Sequence, residues 1–375
     1  MKKEKIFNNP DNNPRILIAP LDWGLGHATR CIPIIKEFIL HGCQVFIVAD
    51  KKNFWLLKKE FPSTVFLRFP GYEIQYSYSK TFFGLKLFYQ FPKVIFKIFN
   101  EKRWLAKIIK NHSIDAVISD NRFGMHSNKI PSVYITHQLC IKTGNRLTEA
   151  IAQRIHYFFI KKYKHCWVPD FKENGLAGAL SHPKKIPSNV VYIGALSRFK
   201  PLSNIEEIYD LLVTISGPEP QRSIFENQMF EQVKTFPGKV FFIRGLPSES
   251  SIPAAFADSI KIENHLPANE LNTIIAQSKM IVSRSGYTSV MDFALMKKKA
   301  ILIPTPGQTE QEYLGKYLLE KGYFFSTKQK DVSIKNALEN CQSFSFKTID
   351  PSDEKYQKVI HEFVLSLKSR NFAIQ

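Results

Sequence analysis

Short apolar runs rich in β-branched residues alternate along the chain with longer segments whose apolar residues recur every three or four positions. The first half carries four such runs, and we predict strands at residues 15–20, 44–50, 115–120 and 132–137. Five more runs follow in the second half, at residues 211–216, 239–245, 259–266, 280–286 and 299–306. Because strands joined by helix-length segments pair in parallel, the pattern predicts an α/β protein with two Rossmann-like α/β/α domains.

The stretch between the two series of strands, residues 165–202, is rich in proline and glycine and holds one short strand-like run at residues 190–193, and we place the interdomain linker there. We predict a first domain over residues 1–185 and a second over residues 186–350. The tail beyond residue 350 repeats apolar positions at helical spacing. Because the second series of strands already forms a complete unit, we expect this helix, at about residues 353–368, to pack back on the first domain.

Composition narrows the class of protein. The 375-residue chain is 44% hydrophobic, which excludes an intrinsically disordered protein. Its 52 Lys and Arg against 33 Asp and Glu give a formal net charge of +19, which favours an anionic partner. Five cysteines without CxxC spacing indicate reduced thiols in a cytoplasmic protein. The sequence predicts neither a signal peptide nor a transmembrane helix.

The turn after the first predicted strand, residues 21–30, carries Gly24 and Gly26 ahead of a helical pattern. A strand, a glycine turn and a helix N-terminus suit a phosphate or a developing anion. A dinucleotide-binding fingerprint would need a third glycine where the chain has Thr29, so NAD is disfavoured. His27 lies at the mouth of the turn, where a neutral imidazole can take a proton from an attacking hydroxyl.

Three acidic or imidazole side chains are candidates to act with His27. Asp22 is either a second base or the group that orients His27. Asp120 and His137 end two further predicted strands, at the edge where open α/β sheets bind ligands. The sequence therefore predicts catalytic roles for His27 and Asp22, and acceptor binding for Gly26, Asp120 and His137. A capping or solvent-exposed histidine is the alternative for His27.

A longer motif covers residues 282–322. A small-residue turn follows a strand and opens a helix, and Asp292 lies in the second turn of that helix. The next strand ends at Pro304, and a polar cluster begins the following helix. This layout suits a nucleotide sugar, with helix amides at the diphosphate and a carboxylate at the ribose hydroxyls. An ordinary βαβ unit with polar helix starts is the alternative.

Residues 282–322 resemble family 28 glycosyltransferases, in which an SRSG turn precedes an acid, a strand ending in proline and a pair of glutamines. The resemblance implies GT-B architecture, with the two domains facing each other, a UDP-sugar as donor, and neither a cofactor nor a metal. It implies ribose binding by Asp292, where the family more often has glutamate, and sugar contacts by Gln311 and Glu312. His27, in the sequence GLGH, matches the family's proposed catalytic base. The other implied nucleotide-sugar contacts are Arg198, Ser216, Gly217, His265, Leu266, Arg284, Ser285 and Gly286.

Residues 77–112 form a basic segment with eight Lys or Arg against one acid and nine aromatic residues between them. Past Pro92 the basic residues recur on one helical face and the apolar residues on the other. Such a helix is either an ordinary crossover helix or an interfacial segment that binds anionic lipid. Because family 28 acceptors bind the first domain and are often lipid-linked, the resemblance favours contact with an anionic membrane. Nucleic acid is disfavoured, since no recognised binding module surrounds the segment.

Together these features predict an inverting, metal-independent glycosyltransferase that moves a hexose or N-acetylhexosamine from a UDP-sugar to an acceptor hydroxyl. The acceptor would be a glycan, lipid-linked or of the cell envelope, and the enzyme peripheral on the inner face of the cytoplasmic membrane. One alternative is a sugar-nucleotide epimerase on the same fold, which needs several acid or base residues around one sugar. The other is a non-catalytic membrane-surface binding protein, which tolerates the loss of His27 and Asp292.

Overall fold

The chain folds into two parallel sheets. A computed structural model describes residues 13–22, 25–71, 80–142, 145–247, 251–252, 257–349 and 355–373. Within these ranges one sheet has seven strands and the other has six. None of the helices in these ranges combines the length and the apolar character that a membrane span requires.

The first sheet has the strand order β3-β2-β1-β4-β5-β6-β7. Its strands are β1 (Arg15–Pro20), β2 (Gln44–Val48), β3 (Val65–Leu67), β4 (Ala116–Asp120), β5 (Ser132–Ile135), β6 (His165–Val168) and β7 (Val190–Tyr192). Its helices are α1 (Leu25–Leu40), α2 (Lys51–Glu60), α3 (Lys80–His112) and α4 (Arg146–Ile160), and a 3₁₀ turn spans Gly178–Leu180. The strand order reverses between β1 and β4, where ligands bind in open α/β sheets.

The second sheet repeats this plan in the order β10-β9-β8-β11-β12-β13. Its strands are β8 (Tyr209–Thr214), β9 (Val240–Ile243), β10 (Ile260–Glu263), β11 (Ser278–Ser283), β12 (Ala300–Leu302) and β13 (Phe325–Ser326). Its helices are α5 (Gln221–Val233), α6 (Ala268–Ala276), α7 (Tyr287–Leu295), α8 (Thr309–Lys321) and α9 (Ile334–Ser343), with a 3₁₀ turn at Gln329–Asp331. The last helix is α10 (Lys355–Ala373). Here the strand order reverses between β8 and β11.

Both sheets are covered on two faces, because successive residues of a buried strand point to opposite sides. In β1, Ile16 and Ile18 share a core with α1, while Leu17 shares one with Leu105 of α3. In β8, Leu212 joins the core under α7, while the strand's other face packs with α5 and α9. The prediction of two Rossmann-like α/β/α domains is confirmed.

The C-terminal helix α10 lies against elements of the first sheet. The ring of Phe363 meets Phe38 of α1 edge to face, with centroids 6.3 Å apart, and Trp167 of β6 at 5.5 Å. Phe363 is buried, and the Lys368 ammonium donates to the His41 carbonyl at 3.5 Å. The helix that follows the second domain therefore returns to the first.

The predicted domain boundary between residues 185 and 186 is wrong. Strand β7 pairs in parallel with β6, with Cys166 opposite Val190, so the first sheet continues to Tyr192. The predicted linker also began at His165, which is the first residue of β6. The predicted strand-like run at residues 190–193 corresponds to β7, but it belongs to the first sheet and not to a linker. Strand β6 has only four residues and lies close to prolines and glycines, so its apolar run is too short to stand out. The same holds for the unpredicted β3 and β13.

Candidate functional site

His27 and Asp120 meet at the point where the order of the first sheet reverses. Pro20, the last residue of β1, pairs with Asp120, the last residue of β4, and α1 begins a few residues after β1. His27 lies in the first turn of α1, and its Nδ1 is 2.9 Å from Oδ1 of Asp120. The His27 side chain is 16% exposed, and among the described residues its Nε2 contacts no hydrogen-bond partner. The imidazole is thus held at one nitrogen and available at the other.

Arg30 holds Asp120 from the next turn of α1. Its Nε donates to Oδ2 of Asp120 at 2.6 Å and its Nη2 donates to Oδ1, a paired contact between two buried groups. Burial alone would raise the pKa of Asp120, but the charges of Arg30 and His27 outweigh it and hold that pKa well below its usual range. Asp120 is therefore a carboxylate at neutral pH.

Nδ1 of His27 also lies 3.0 Å from Nη2 of Arg30. A guanidinium can only donate and a carboxylate can only accept, so the two contacts exclude each other in any one tautomer. With the proton on Nδ1, His27 donates to Asp120 and Nε2 keeps its lone pair. With the proton on Nε2, the ring accepts from Arg30. The tautomer therefore decides whether Nε2 can act as a base.

His137 connects Arg30 to the second domain. Its Nδ1 lies 2.9 Å from Nη1 of Arg30 and accepts from it, so the ring proton is on Nε2, which donates to Oε1 of Glu310 at 2.7 Å. The ring stacks on Tyr287 at a centroid distance of 4.3 Å. Burial lowers the pKa of His137, which stays neutral. Both ring nitrogens are engaged, so His137 links other side chains in this structure, and its contact with an acceptor stays a prediction.

Glu310, in the first turn of α8, reaches across the interdomain cleft. Besides His137, its carboxylate accepts a hydrogen bond from the side-chain amide of Gln138. Although burial opposes it, the hydrogen bond from His137 and the interactions with His27 and Arg30 lower the pKa of Glu310. The polar cluster that the sequence predicts at the start of this helix includes Glu310, but the motif gave Glu310 no role of its own, and no motif included Arg30. For Arg30 a signal was present, because positions 27 and 30 share one face of a helix.

Asp22 has a different place from the one predicted. No hydrogen bond joins it to His27, and its Oδ1 is buried without a partner among the described residues. Asp22 instead packs beside Gly71, where any side chain would collide with its carboxylate. The role of orienting His27 therefore belongs to Asp120. Gly26 lies at the domain contact, since its carbonyl accepts from Thr288 Oγ1 of α7 at 3.2 Å.

In the second domain, the buried Asp292 lies within the influence of the charge of Arg198, a partly buried residue. Oδ1 of Asp292 accepts from Ser197 Oγ at 2.6 Å. Burial raises the pKa of Asp292 to about 6, with the Arg198 charge and the Ser197 hydrogen bond acting against it. Nε and Nη1 of Arg198 are buried without a hydrogen-bond partner among the described residues. Two unpaired guanidinium donors suit an anionic ligand, since a buried donor without a partner is costly.

His265 belongs to the same neighbourhood. Burial, together with the charges of Arg198 and Lys59, lowers the pKa of His265 to about 4, so its ring is neutral. Leu266 follows it as a buried side chain. These positions bring the predicted His265, Leu266, Arg198 and Asp292 into one region.

Two turns at the carboxyl edge of the second sheet form an open cradle. Thr214 of β8 pairs with Ser283 of β11, which sets the turn of Ser216 and Gly217 beside the one that carries Gly286. Gly217 has a φ of +116°, and a β-carbon added to either glycine would meet no atom within 4 Å. Gly286 begins α7 without a side-chain cap. The free amides of such a helix start suit a diphosphate.

Arg284 and Ser285 do not point into this cradle, contrary to the prediction. The Arg284 guanidinium is buried, stacks on Phe225 at 3.9 Å and donates to Gln329 Oε1 at 2.7 Å. Burial lowers its pKa to about 9. Ser285 Oγ donates to the Gln311 carbonyl at 2.9 Å. Both side chains therefore stabilise the turn through contacts within the protein and not through the open side of the cradle.

Gln311 and Glu312 begin α8 and contact the loop before it. Gln311 accepts from the Thr305 amide at 2.9 Å, and Glu312 accepts from the Gly307 amide at 3.0 Å. In this arrangement both side chains shape the loop on the cleft side of α8.

Comparisons with known proteins agree with this architecture. Residues 249–364 match the family described as "Glycosyltransferase family 28 C-terminal domain". Among curated proteins, no sequence matches this chain.

Solved structures match almost the whole chain. The glycotransferase of kitacinnamycin has a TM-score of 0.61 at 12% identity and covers 95% of this chain and 96% of its own. MurG of Acinetobacter baumannii has a TM-score of 0.51 at 12% identity, with 95% of each chain covered. LpCGTa in complex with UDP has a TM-score of 0.56 at 12% identity, with 94% of each chain covered.

At these identities the solved structures establish the fold, which is the GT-B architecture of two facing Rossmann-like domains. The family match shows that residues 249–364 form a family 28 glycosyltransferase C-terminal domain, and it confirms the resemblance that the sequence motifs predicted.

Proposed function

We propose that this enzyme transfers a hexose or N-acetylhexosamine from a UDP-sugar to an acceptor hydroxyl, with inversion and without a metal. The observation that carries the proposal is the pairing of His27 with Asp120 on one side of the cleft, opposite the Arg198–Asp292 region on the other. A base and an anion-binding region face each other there, as a displacement between a hydroxyl and a nucleotide sugar requires.

His27 is the proposed base. In the tautomer with a proton on Nδ1, that nitrogen donates to Asp120 and Nε2 takes the proton of the acceptor hydroxyl. The hydroxyl oxygen then forms a bond to the anomeric carbon as the bond from that carbon to the diphosphate oxygen breaks. UDP leaves with the electron pair. A single displacement from the opposite face inverts the anomeric configuration.

The second domain is the proposed donor site. The unpaired donors of Arg198 and the free amides at the start of α7 would bind the diphosphate and stabilise the charge that develops on it. Asp292, with Ser197 beside it, would accept hydrogen bonds from the ribose hydroxyls. Gln311 and Glu312 would contact the sugar. That LpCGTa has been solved with UDP supports a uridine nucleotide as the donor group.

The acceptor is proposed to be lipid-linked, with the first domain resting on an anionic membrane. Of the basic segment, residues 77–79 lie outside the described residues, and side chains are described from Lys93 onward. A groove of about 420 Å³ beside α3 is lined by Phe69, Pro70, Lys97, Asn100, Arg103, Trp104 and Lys107. Cationic and aromatic side chains around a groove suit a lipid phosphate and its neighbouring chain.

Exposed apolar side chains next to this groove support the membrane proposal. Phe96 and Phe99 of α3 are 65% and 63% exposed, although α3 buries Ile98 and Leu105 on its other face. Helix α4 exposes Leu147, Ile151 and Phe158 in a stripe, at 71%, 52% and 58%. Large apolar side chains at helical spacing on the surface are typical of a membrane or protein contact.

The product of the reaction tests the proposal. The protein is incubated with UDP-glucose, UDP-galactose or UDP-N-acetylglucosamine and a lipid extract, and UDP release is measured together with the anomeric configuration of the product by proton NMR. We expect UDP release that depends on the extract and a product of inverted configuration. Retention would contradict direct displacement. Conversion of the UDP-sugar without an acceptor would instead indicate an epimerase.

A further inference from the structure

The carboxylate of Glu310 connects the second domain to the side chains that hold His27. It accepts from Nε2 of His137 at 2.7 Å and from the amide of Gln138. His137 in turn accepts from Arg30 at 2.9 Å, and Arg30 binds Asp120. A continuous chain of hydrogen-bonded side chains therefore leads from α8 to the imidazole of His27.

Glu310 changes the formal charge of this cluster. The charges of Arg30 and Asp120 cancel, so these two residues and two neutral imidazoles have no net charge. Glu310 adds one negative charge, with its side chain 33% exposed and its pKa lowered. A net negative cluster favours the imidazolium that forms when His27 takes a proton.

Three further titratable groups among the described residues of this cluster are uncharged at neutral pH. Burial raises the pKa of the Cys31 thiol near His27 on α1 and that of the Tyr287 hydroxyl on α7. Burial also lowers the pKa of His137 after β5. Arg30, Asp120 and Glu310 thus supply the charge that His27 faces. Of these three, only Glu310 belongs to the second domain.

Because Glu310 and His137 lie on different domains, their contact depends on how closely the domains approach. We propose that Glu310 is a positioning residue that makes His27 a stronger base when the two domains close. The inference rests on the proposed function, in which His27 takes a proton from the acceptor. It gives the enzyme a way to activate the acceptor only when the donor domain is in place.

A titration of His27 measures this coupling without any substrate. The protein is labelled with ¹³C at histidine Cε1, the His27 signal is assigned from its loss in His27→Gln, and its titration midpoint is followed by NMR. Glu310→Gln keeps the size of the side chain and an oxygen that can accept from His137, but it removes the charge. Glu320→Gln removes one charge from an exposed position of the same helix and serves as the matched control.

We expect the His27 midpoint to move to lower pH in Glu310→Gln, by about half a pH unit or about threefold in proton affinity, and to stay unchanged in Glu320→Gln. Equal midpoints in the wild type and Glu310→Gln would overturn the proposal. This readout requires no transfer reaction, so it separates a failure of the coupling from a failure of the proposed function.

Turnover gives the second readout. In Glu310→Gln the acid limb of kcat/KM for the acceptor moves to lower pH and its plateau falls about threefold to tenfold. The dissociation constant for UDP stays unchanged. A fall in rate with an unmoved acid limb would show that Glu310 contributes only structure or sugar contacts, and it would also overturn the proposal.

Discussion

Nδ1 of His27 lies 2.9 Å from Oδ1 of Asp120, although the two residues are 93 positions apart in the sequence. The reversal of strand order between β1 and β4 brings them together, because it leaves the first turn of α1 above the end of β4. Asp120 would be costly to bury alone, and Arg30 compensates its charge. The fold thus supplies an oriented imidazole at the cleft.

Loss of His27 should reduce sugar transfer far more than loss of Asp22. We expect His27→Gln to lower kcat by about 10²–10⁴-fold, the range for a lost general base. Asp22→Asn should lower it by less than about tenfold, since no hydrogen bond joins Asp22 to His27. A steady-state assay of UDP release compares the variants. Equal losses in both would contradict the assignment of Asp120, rather than Asp22, as the partner of His27.

Asp120→Asn should destabilise the protein and also slow the transfer reaction. The substitution leaves the buried guanidinium of Arg30 without a counter-charge, which costs about 3–5 kcal/mol when one partner of a buried pair is removed. Chemical denaturation measures the change in the free energy of unfolding. The double variant Arg30→Met/Asp120→Asn should recover part of it, and a double variant no more stable than Asp120→Asn would argue against the pairing.

Nucleotide binding should depend on the protonation of Asp292. The carboxylate accepts hydrogen bonds and the protonated acid accepts fewer, so affinity for a UDP-sugar should fall as the pH drops below about 6, the raised pKa of this group. Asp292→Asn should bind about 1–3 kcal/mol more weakly, and its affinity should not vary with pH in this range. Calorimetry across the interval on either side of this pKa provides the measurement. If the UDP-sugar affinity of the wild type and that of Asp292→Asn changed with pH in the same way, Asp292 would not be the group that causes the change.

Membrane attachment should depend on the charges beside the α3 groove. We expect the wild type to bind vesicles containing anionic lipid at low salt and to be released as salt rises, because attraction is screened over about 8–10 Å at physiological ionic strength. Reversal of Lys93, Arg103 and Lys107 to glutamate should abolish sedimentation with the vesicles.

The matched control for this experiment reverses three exposed lysines of the second domain, Lys328, Lys330 and Lys335. Lys97 is left intact in both variants, since its ammonium donates to the Gly71 carbonyl at 2.8 Å. UDP affinity should be unchanged throughout. If the control variant loses vesicle binding as fully as the α3 variant, net charge rather than the groove explains the attachment.

The last helix should contribute to the stability of the first domain. Phe363 is buried between Phe38 and Trp167, so Phe363→Ala should lower the free energy of unfolding by about 3–5 kcal/mol. Leu365→Ala, at an exposed position of the same helix, should have little effect. Denaturant unfolding distinguishes the two. Similar small losses in both variants would mean that α10 is not held by this contact.

Periodicity predicted the fold because each domain repeats long apolar strands that are buried on both faces. It missed β3, β6 and β13, whose few residues offer no pattern distinct from a loop. Motif spacing located His27 and Asp292, which lie next to a glycine turn or inside a helix start. It could not pair His27 with Asp120 in preference to Asp22, since proximity in the sequence favours the wrong partner.

The contacts of Arg284 and of Glu310 could not be predicted from the sequence either, because residues distant in the sequence make them. Arg284 stands in a ligand-binding motif, yet its Nη1 and Nη2 donate to backbone carbonyls and to Gln329, contacts that only the packing of β12 and α5 decides. The contact of Glu310 with His137 joins residues of two domains, and no local pattern encodes the distance between domains. Both depend on tertiary structure.

Isothermal titration with UDP, TDP, GDP and NADH tests the central claim most directly, namely that this cleft binds a uridine-diphosphate sugar donor. We expect UDP to bind to the wild type, TDP and GDP to bind more weakly, and NADH not to bind. We also expect that Arg198→Ala, which removes the two unpaired buried donors, weakens UDP binding while His27→Gln leaves it unchanged. Binding of NADH in preference to UDP, or UDP affinity that survives the loss of Arg198, would contradict this claim.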